Sequence, residues 1–358
     1  MRILHYVDAA FIGWEVPYIE LIKSLDSLGI ENILLCRPKG RIEKVAREYN
    51  VKLFTYKHLF SWSPIVSPRF MKLIKEISPD IIHTRLSNAA RIAGLCGKKL
   101  NIPVVSTLDG CFNLKCYKNS THLLPCSKAV RDYEISCGVP LEKMTTIHNA
   151  INLQKFSPNE QKRNEFRKNF GVSNNDLIFL GLGSYTYRKG FDILLKAFAE
   201  FLKKSTFKNA YLWLAGNGEE QENLVRLANE LNISERVNFL GYVEDVRQVL
   251  WVSDILVMPS RAEGFSLALL EGIASGLPVI VSDIEPFTEI ISEEQNNGFV
   301  AEGENPESFA MKMLKMLKIG DKERKIIANN ALEMVKKNFT TEIIARKTLE
   351  IYENFTLR

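Results

Sequence analysis

Residues 254–283 read DILVMPSRAEGFSLALLEGIASGLPVIVSD, and the fold class follows from this stretch. DILVMPS (254–260) and PVIVSD (278–283) are short apolar runs rich in branched residues, as in strands buried on both faces. Pro259 and Ser260 end the first run, Gly264 permits a tight turn, and a helix begins near Ser266. Strand, helix and strand in this order form a right-handed crossover between parallel strands. The helix start offers unpaired N–H groups and a partial positive charge, which together suit a phosphate. Glu263 stays on the loop, and Glu271 falls one to two turns into the helix. Two acids beside an anion site are consistent if they accept hydrogen bonds from hydroxyl groups, which sugars supply abundantly.

The same grammar runs through the chain. In the first half RILHYV (2–7), NILLC (32–36), VKLFTY (51–56), DIIHT (80–84) and PVVST (103–107) read as buried parallel strands. Helical patterns occupy 16–28 and 88–100. HLLPCS (122–127) follows, then a helix from about Lys128 and a strand at TTIHN (145–149). In the second half LIFLGL (177–182), AYLWLAG (210–216) and RVNFLG (236–241) precede the opening stretch. The polar segment 157–169 is the natural linker or linking helix. Repeated βα units over 358 residues imply two doubly wound parallel-sheet domains with a cleft between them. Ligands of such sheets bind beyond the carboxyl ends of the strands.

Hydrophobic content of 46% and charged content of 25% are globular values. The start, MRILHYVDAA, lacks the apolar core and cleavage site of a signal peptide, and no window approaches the roughly 18 uncharged apolar residues of a membrane span. A cytoplasmic protein is therefore expected. The six cysteines form no CxxC and no zinc-type spacing, and Asp-x-Asp, the usual metal-holding pair, does not occur. Residues 1–160 hold 22 Lys and Arg against 14 Asp and Glu, a balance of +8, while the remainder sums to −3. The first half is thus expected to meet something anionic, an anionic membrane surface or a phosphorylated acceptor. Nucleic acid is not expected, because the basic residues are dispersed and no reader motif occurs.

The segment from Glu263 to Glu271 resembles the E-x7-E signature of glycosyltransferase family 4, the retaining GT-B enzymes, closest to those of lipopolysaccharide core and cell-wall glycans. GLGSYTYRKGFDILLKAF (181–198), WLAGNGEE (213–220), RVNFLGYVEDV (236–246), DIIHTRLSNAARIAG (80–94) and IPVVSTLDG (102–110) extend the likeness in family order. The resemblance implies a GT-B fold of two Rossmann-like domains. Residues 1–156 would bind the acceptor and 157–340 the donor, and the helix of 341–358 would cross back to the first domain. It also implies transfer of a hexose-type sugar from a nucleotide-sugar, a UDP-sugar by default. The acceptor would be a saccharide or a lipid-linked glycan of lipopolysaccharide or cell-surface glycan biosynthesis, at the inner face of the cytoplasmic membrane. No metal or other cofactor is implied. A nucleotide-sugar epimerase and an inactive nucleotide-sugar-binding partner of another transferase are the rival readings.

By the same resemblance Glu271 would bind ribose hydroxyls, and Glu263 would lie by the donor hexose. Gly264, Phe265, Ser266 and Leu267 would hold sugar and diphosphate through their backbone, and Gly216 would lie near the nucleoside. In the family's G-R-x4-K-G loop, Gly183, Lys189 and Gly190 match, but Ser184 replaces the arginine. Arg188 is the candidate to supply that charge. Without a metal, such fixed cations must stabilise the departing diphosphate. On the acceptor side stand Gly13, the remnant of a double-Gly loop, with His83 and Arg85. Asp109 occupies the place of the family's histidine beside the transferred sugar. It can accept a hydroxyl hydrogen bond, act as a base, stabilise developing positive charge, or simply turn the chain before Gly110.

Overall fold

The computed structural model describes residues 1–58, 66–111 and 114–356. The chain divides into two compact units, Met1–Asn152 with Phe339–Arg358, and Leu153–Asn338. Unit 1 contains β1 (Arg2–Val7), β2 (Glu31–Cys36), β3 (Leu53–Thr55), β4 (Ile81–Arg85), β5 (Val104–Leu108) and β6 (His122–Pro125). All pair in parallel in the order β3-β2-β1-β4-β5-β6. Unit 2 contains β7 (Leu177–Leu182), β8 (Ala210–Ala215), β9 (Val237–Gly241), β10 (Ile255–Met258), β11 (Val279–Ser282) and β12 (Phe299–Ala301), ordered β12-β11-β10-β7-β8-β9. Both are doubly wound sheets whose strand order reverses once, between β1 and β4 and between β7 and β10. Those switch points are where loops part at the carboxyl ends and leave room for a ligand. The central strands β4, β5, β7 and β10 are buried throughout, as their unbroken apolar runs require.

One expected strand is absent. Residues 145–149 run beside β6, with Thr145 N–H donating to the Leu123 carbonyl and Ile147 N–H to the Pro125 carbonyl, but the pairing amounts to one isolated bridge, between Leu123 and Met144. The return bond of a parallel ladder would need an N–H at position 125, which proline lacks. Conversely, β12 went unread because it is three residues long. The polar segment 157–169 contains a helix, Glu160–Asn169, that belongs to unit 2. Its Arg163 and Arg167 donate to the carbonyls of 251–253 at the end of helix Arg247–Val252 and pair with Asp254. Asp254 also accepts from the Ile178 N–H, so one carboxylate ties linker helix, β7 and β10 together. The helix Thr341–Thr356 packs within unit 1, against helix Glu15–Ser27 and β4, burying Ile344, Ala345, Thr348, Ile351 and Tyr352.

The core of unit 1 is not wholly apolar. His5 bridges Tyr18 and Asn32, while His83 bridges Tyr352 and Thr107, with the two imidazoles 5.6 Å apart. Burial pushes the His5 pKa down to about 4 against the opposing hydrogen bond to Asn32 Oδ1, and burial beside His5 and Arg85 pushes His83 well below its usual value.

Two outcomes follow. The folded unit refuses protons that the unfolded chain accepts below pH 6.5, so stability should be level above that pH and fall between pH 6.5 and 4. The loss at pH 5 should reach about 2 kcal/mol for His5, read from urea unfolding at pH 7 and pH 5, with a shallower fall in His5→Gln. Asp254→Ala strands two arginines and should cost about 3–5 kcal/mol in the same measurement at pH 7.

Candidate active site

At the switch point of unit 2, three loops meet beyond the carboxyl ends of β7, β8 and β10. After β7 the chain passes Gly183, turns through Tyr187–Lys189 and enters helix Phe191–Lys204 at Gly190, whose φ is +67°. After β10 it runs through Pro259 to Ser266, whose hydroxyl accepts from the Leu269 N–H (3.4 Å) and caps helix Leu267–Ala274. The loops touch backbone to backbone. A Cβ on Gly190 would lie 2.1 Å from the Pro259 carbonyl oxygen, and one on Gly216 would lie 1.8 Å from that of Gly183. Arg261 fastens the arrangement: its N–H donates to the Arg188 carbonyl, and its guanidinium pairs bidentately with Asp192 and stacks 3.9 Å from the Tyr187 ring.

Inside this frame charges converge. Lys189 Nζ lies 2.5 Å from Glu263 Oε1, the Ser260 hydroxyl donates to the same oxygen (2.9 Å), and Arg188 approaches Oε2 at 3.8 Å. The Glu263 and Lys189 side chains are only 5% and 11% exposed, whereas Arg188 is 54% exposed. Two cations on one carboxylate, beside the open N-terminus of a capped helix, leave an excess of positive potential facing outward. That is the condition for receiving a multiply charged anion. Of the residues singled out in sequence, Gly183, Ser184, Arg188, Lys189, Gly216, Glu263, Gly264, Phe265 and Ser266 lie on these three loops, and Leu267 opens the helix that follows. Ser184 is exposed and carries no charge. Glu271 is half-buried farther along helix Leu267–Ala274. Among the described residues no group of three or more His, Cys, Asp or Glu side chains is arranged to hold a metal ion.

Unit 1 carries a different constellation. Arg85 ends β4, Asp109 follows β5, and the two form a largely buried bidentate ion pair. Arg85 also donates to Asn149 Oδ1 (2.9 Å), and its guanidinium lies 4.1 Å from the Trp14 ring centroid. His83 does not join them: it is 3% exposed, and both its nitrogens are bonded inside the core, so the acceptor-side role expected of it is corrected to a structural one. Arg85 and His83 share a face of β4, but Arg85 stands at its carboxyl end, whereas His83 lies two residues back inside the sheet, between Tyr352 and Thr107. Gly13 has φ +80°, but among the described residues no atom lies within 4 Å of a built Cβ, so none of them approaches its backbone closely. The close contact in this loop is made by Gly40, whose Cβ would lie 2.3 Å from the Ala10 carbonyl oxygen. Asn149 and Gly40 were missed. The first lay in the segment read as a strand, and the second gives no local signal because its partner is remote in sequence.

Gly216→Ala tests the frame. Its φ of +148° alone costs a side-chain-bearing residue about 1–3 kcal/mol, and the overlap with Gly183 adds to that. A loss of stability of at least this size is expected in urea unfolding.

Comparison with known proteins covers both units. A family model described as "Glycosyltransferase Family 4" matches residues 13–155, and one described as "Glycosyl transferases group 1" matches 162–334. The lipopolysaccharide core biosynthesis glycosyltransferase LpsE of Rhizobium meliloti is 24% identical over 98% of both chains. An Escherichia coli UDP-Gal:alpha-D-GlcNAc-diphosphoundecaprenol alpha-1,3-galactosyltransferase is 25% identical over 78% of this chain and 77% of its own. HepE of Anabaena, solved in complex with UDP, superposes with a TM-score of 0.86 at 19% identity, covering 99% of this chain and all of its own. With two Rossmann-like units of the GT-B class and a family match along both, the chain belongs to glycosyltransferase family 4.

Proposed function

We propose that this glycosyltransferase moves a hexose-type sugar from a UDP-sugar, with retention of anomeric configuration and without a metal ion. The acceptor is a saccharide or lipid-linked glycan of lipopolysaccharide or cell-surface glycan biosynthesis. The observation that carries the reading is the Lys189–Glu263–Arg188 cluster beside the Ser266-capped helix. As the sugar–phosphate bond breaks, negative charge grows on the departing diphosphate. Preorganised cations and helix N–H groups stabilise it without rearrangement. Lys189 and Arg188 fill the place a divalent ion takes elsewhere, and Arg188, exposed at the rim, supplies the charge that Ser184 lacks. Glu263, paired with Lys189, exchanges that partner for hydroxyls of the donor sugar as phosphate claims the lysine. Glu271 binds the ribose hydroxyls. Retention follows if the acceptor attacks the face the diphosphate leaves, giving its proton to a departing phosphate oxygen.

Support for a UDP donor comes from HepE, which was solved with UDP. Support for a lipid-linked acceptor comes from the E. coli relative, whose name specifies GlcNAc-diphosphoundecaprenol. The surplus of basic residues in the first half is consistent with an acceptor at an anionic membrane surface, and no described helix is long and apolar enough to cross a membrane.

Thermal melting with UDP, GDP and ADP is the direct test. A ligand at a hundred times its Kd adds about 2.7 kcal/mol, so UDP should raise the melting temperature most, and no shift with any of the three overturns the reading. Lys189→Ala should lower kcat for donor consumption by about 10²–10³. A loss under threefold in a variant that melts normally removes Lys189 from the mechanism.

A further inference from the structure

The carboxyl end of the unit 1 sheet holds a charged group whose organisation differs from that of unit 2. Arg85 is the last residue of β4, beside Val7 at the switch between β1 and β4. Its Nε donates to Asp109 Oδ2 (3.2 Å) and its Nη2 to Asp109 Oδ1, so both oxygens of that carboxylate are engaged by one guanidinium. Nη2 donates again to Asn149 Oδ1, and the guanidinium plane rests on Trp14, with Tyr18 5.1 Å away. The Arg85 and Asp109 side chains are 8% and 15% exposed. Three separate segments thus converge on one cation: the loop after β5, residue 149 and the start of helix Glu15–Ser27.

A general base needs a lone pair free to take a proton from the attacking hydroxyl. A carboxylate in a bidentate fork with a buried arginine keeps a second lone pair on each oxygen, but its charge is matched and its orientation is fixed by the guanidinium. Arginine, for its part, can only donate, and its remaining edge, Nη1, makes no hydrogen bond to the described residues. We propose that Asp109 is the fixed counter-ion of Arg85 rather than a base. In this assignment Asp109, Asn149 and Trp14 are positioning residues, and Arg85 donates to an oxygen of the acceptor. The proposal rests on the transferase reading. The proton balance there needs no protein base: the acceptor O–C1 bond forms, the C1–O bond to phosphate breaks, and the hydroxyl proton passes to the departing phosphate oxygen.

The test uses UDP-glucose as donor and water as acceptor, with UDP release followed from pH 5 to 9 in wild type, Arg85→Ala, Asp109→Ala, Asp109→Asn and the double alanine variant. Residues that act through one another lose activity once, not twice. Each single alanine variant should therefore lose about 10²-fold, as for a displaced positioning group, and the double variant should fall within threefold of either. Asp109→Asn, whose amide oxygen still accepts from Arg85, should recover at least part of the Asp109→Ala loss and keep the acid limb of the pH profile. If Arg85→Ala melts below the assay temperature, Arg85→Lys replaces it, since it keeps the charge but loses the fork. A further loss of 10²–10⁴ on adding Asp109→Ala to the Arg85 variant, or an acid limb abolished in Asp109→Asn, makes Asp109 the base and overturns the proposal. A wild-type chain that consumes none of the donor overturns the transferase reading and the proposal with it.

Discussion

Everything at the carboxyl end of the unit 2 sheet depends on backbones that touch where no Cβ can stand. Gly216 lies against the Gly183 carbonyl, Gly218 against that of Tyr185 and Gly190 against that of Pro259. These contacts draw the loops after β7, β8 and β10 into one layer over the switch point of the sheet. Only in that layer does Lys189, from the loop after β7, reach Glu263, from the loop after β10, across a sequence gap of 74 residues. A side chain at any of the three glycines would part the loops, and the buried ion pair would be left as two desolvated charges. Close approach is thus the condition for the electrostatics, and the electrostatics are the condition for holding an anion.

Much of this was legible in the sequence, for a physical reason. The strands are unbroken apolar runs with both faces covered, so their existence did not depend on tertiary detail. The Ser266 cap, Gly190 and the Glu263–Glu271 spacing are local signals, and each lies where that reading put it. What failed depended on partners remote in the chain. Residues 145–149 have strand composition, but whether they join the sheet is decided by Pro125 on the neighbouring strand. His83 has the residue type of a catalyst, but its face of β4 points at Tyr352 on the last helix, 269 residues away. Asp109 could be read as base, acceptor or turn residue, and nothing local reveals that Arg85 grips it.

The two switch points divide the electrostatic labour. In unit 2 two cations share one carboxylate, which leaves an excess of positive charge. In unit 1 one arginine is matched by one carboxylate and braced by an indole and an amide, giving a directional donor with little net field. In the proposed account the first arrangement answers charge that develops during reaction, and the second aims a neutral hydroxyl. That difference explains why the substitution of Asp at position 109 is compatible with a working transferase in the proposed account. If the departing phosphate takes the proton, the acceptor side needs orientation rather than basicity.

The central claim is that a sugar leaves its nucleotide and is captured on the face it left. The most direct measurement is proton NMR of UDP-glucose consumed by the wild-type protein in water, recorded early enough that mutarotation has not mixed the anomers. The account predicts α-glucose as the first product. The appearance of β-glucose first would contradict it.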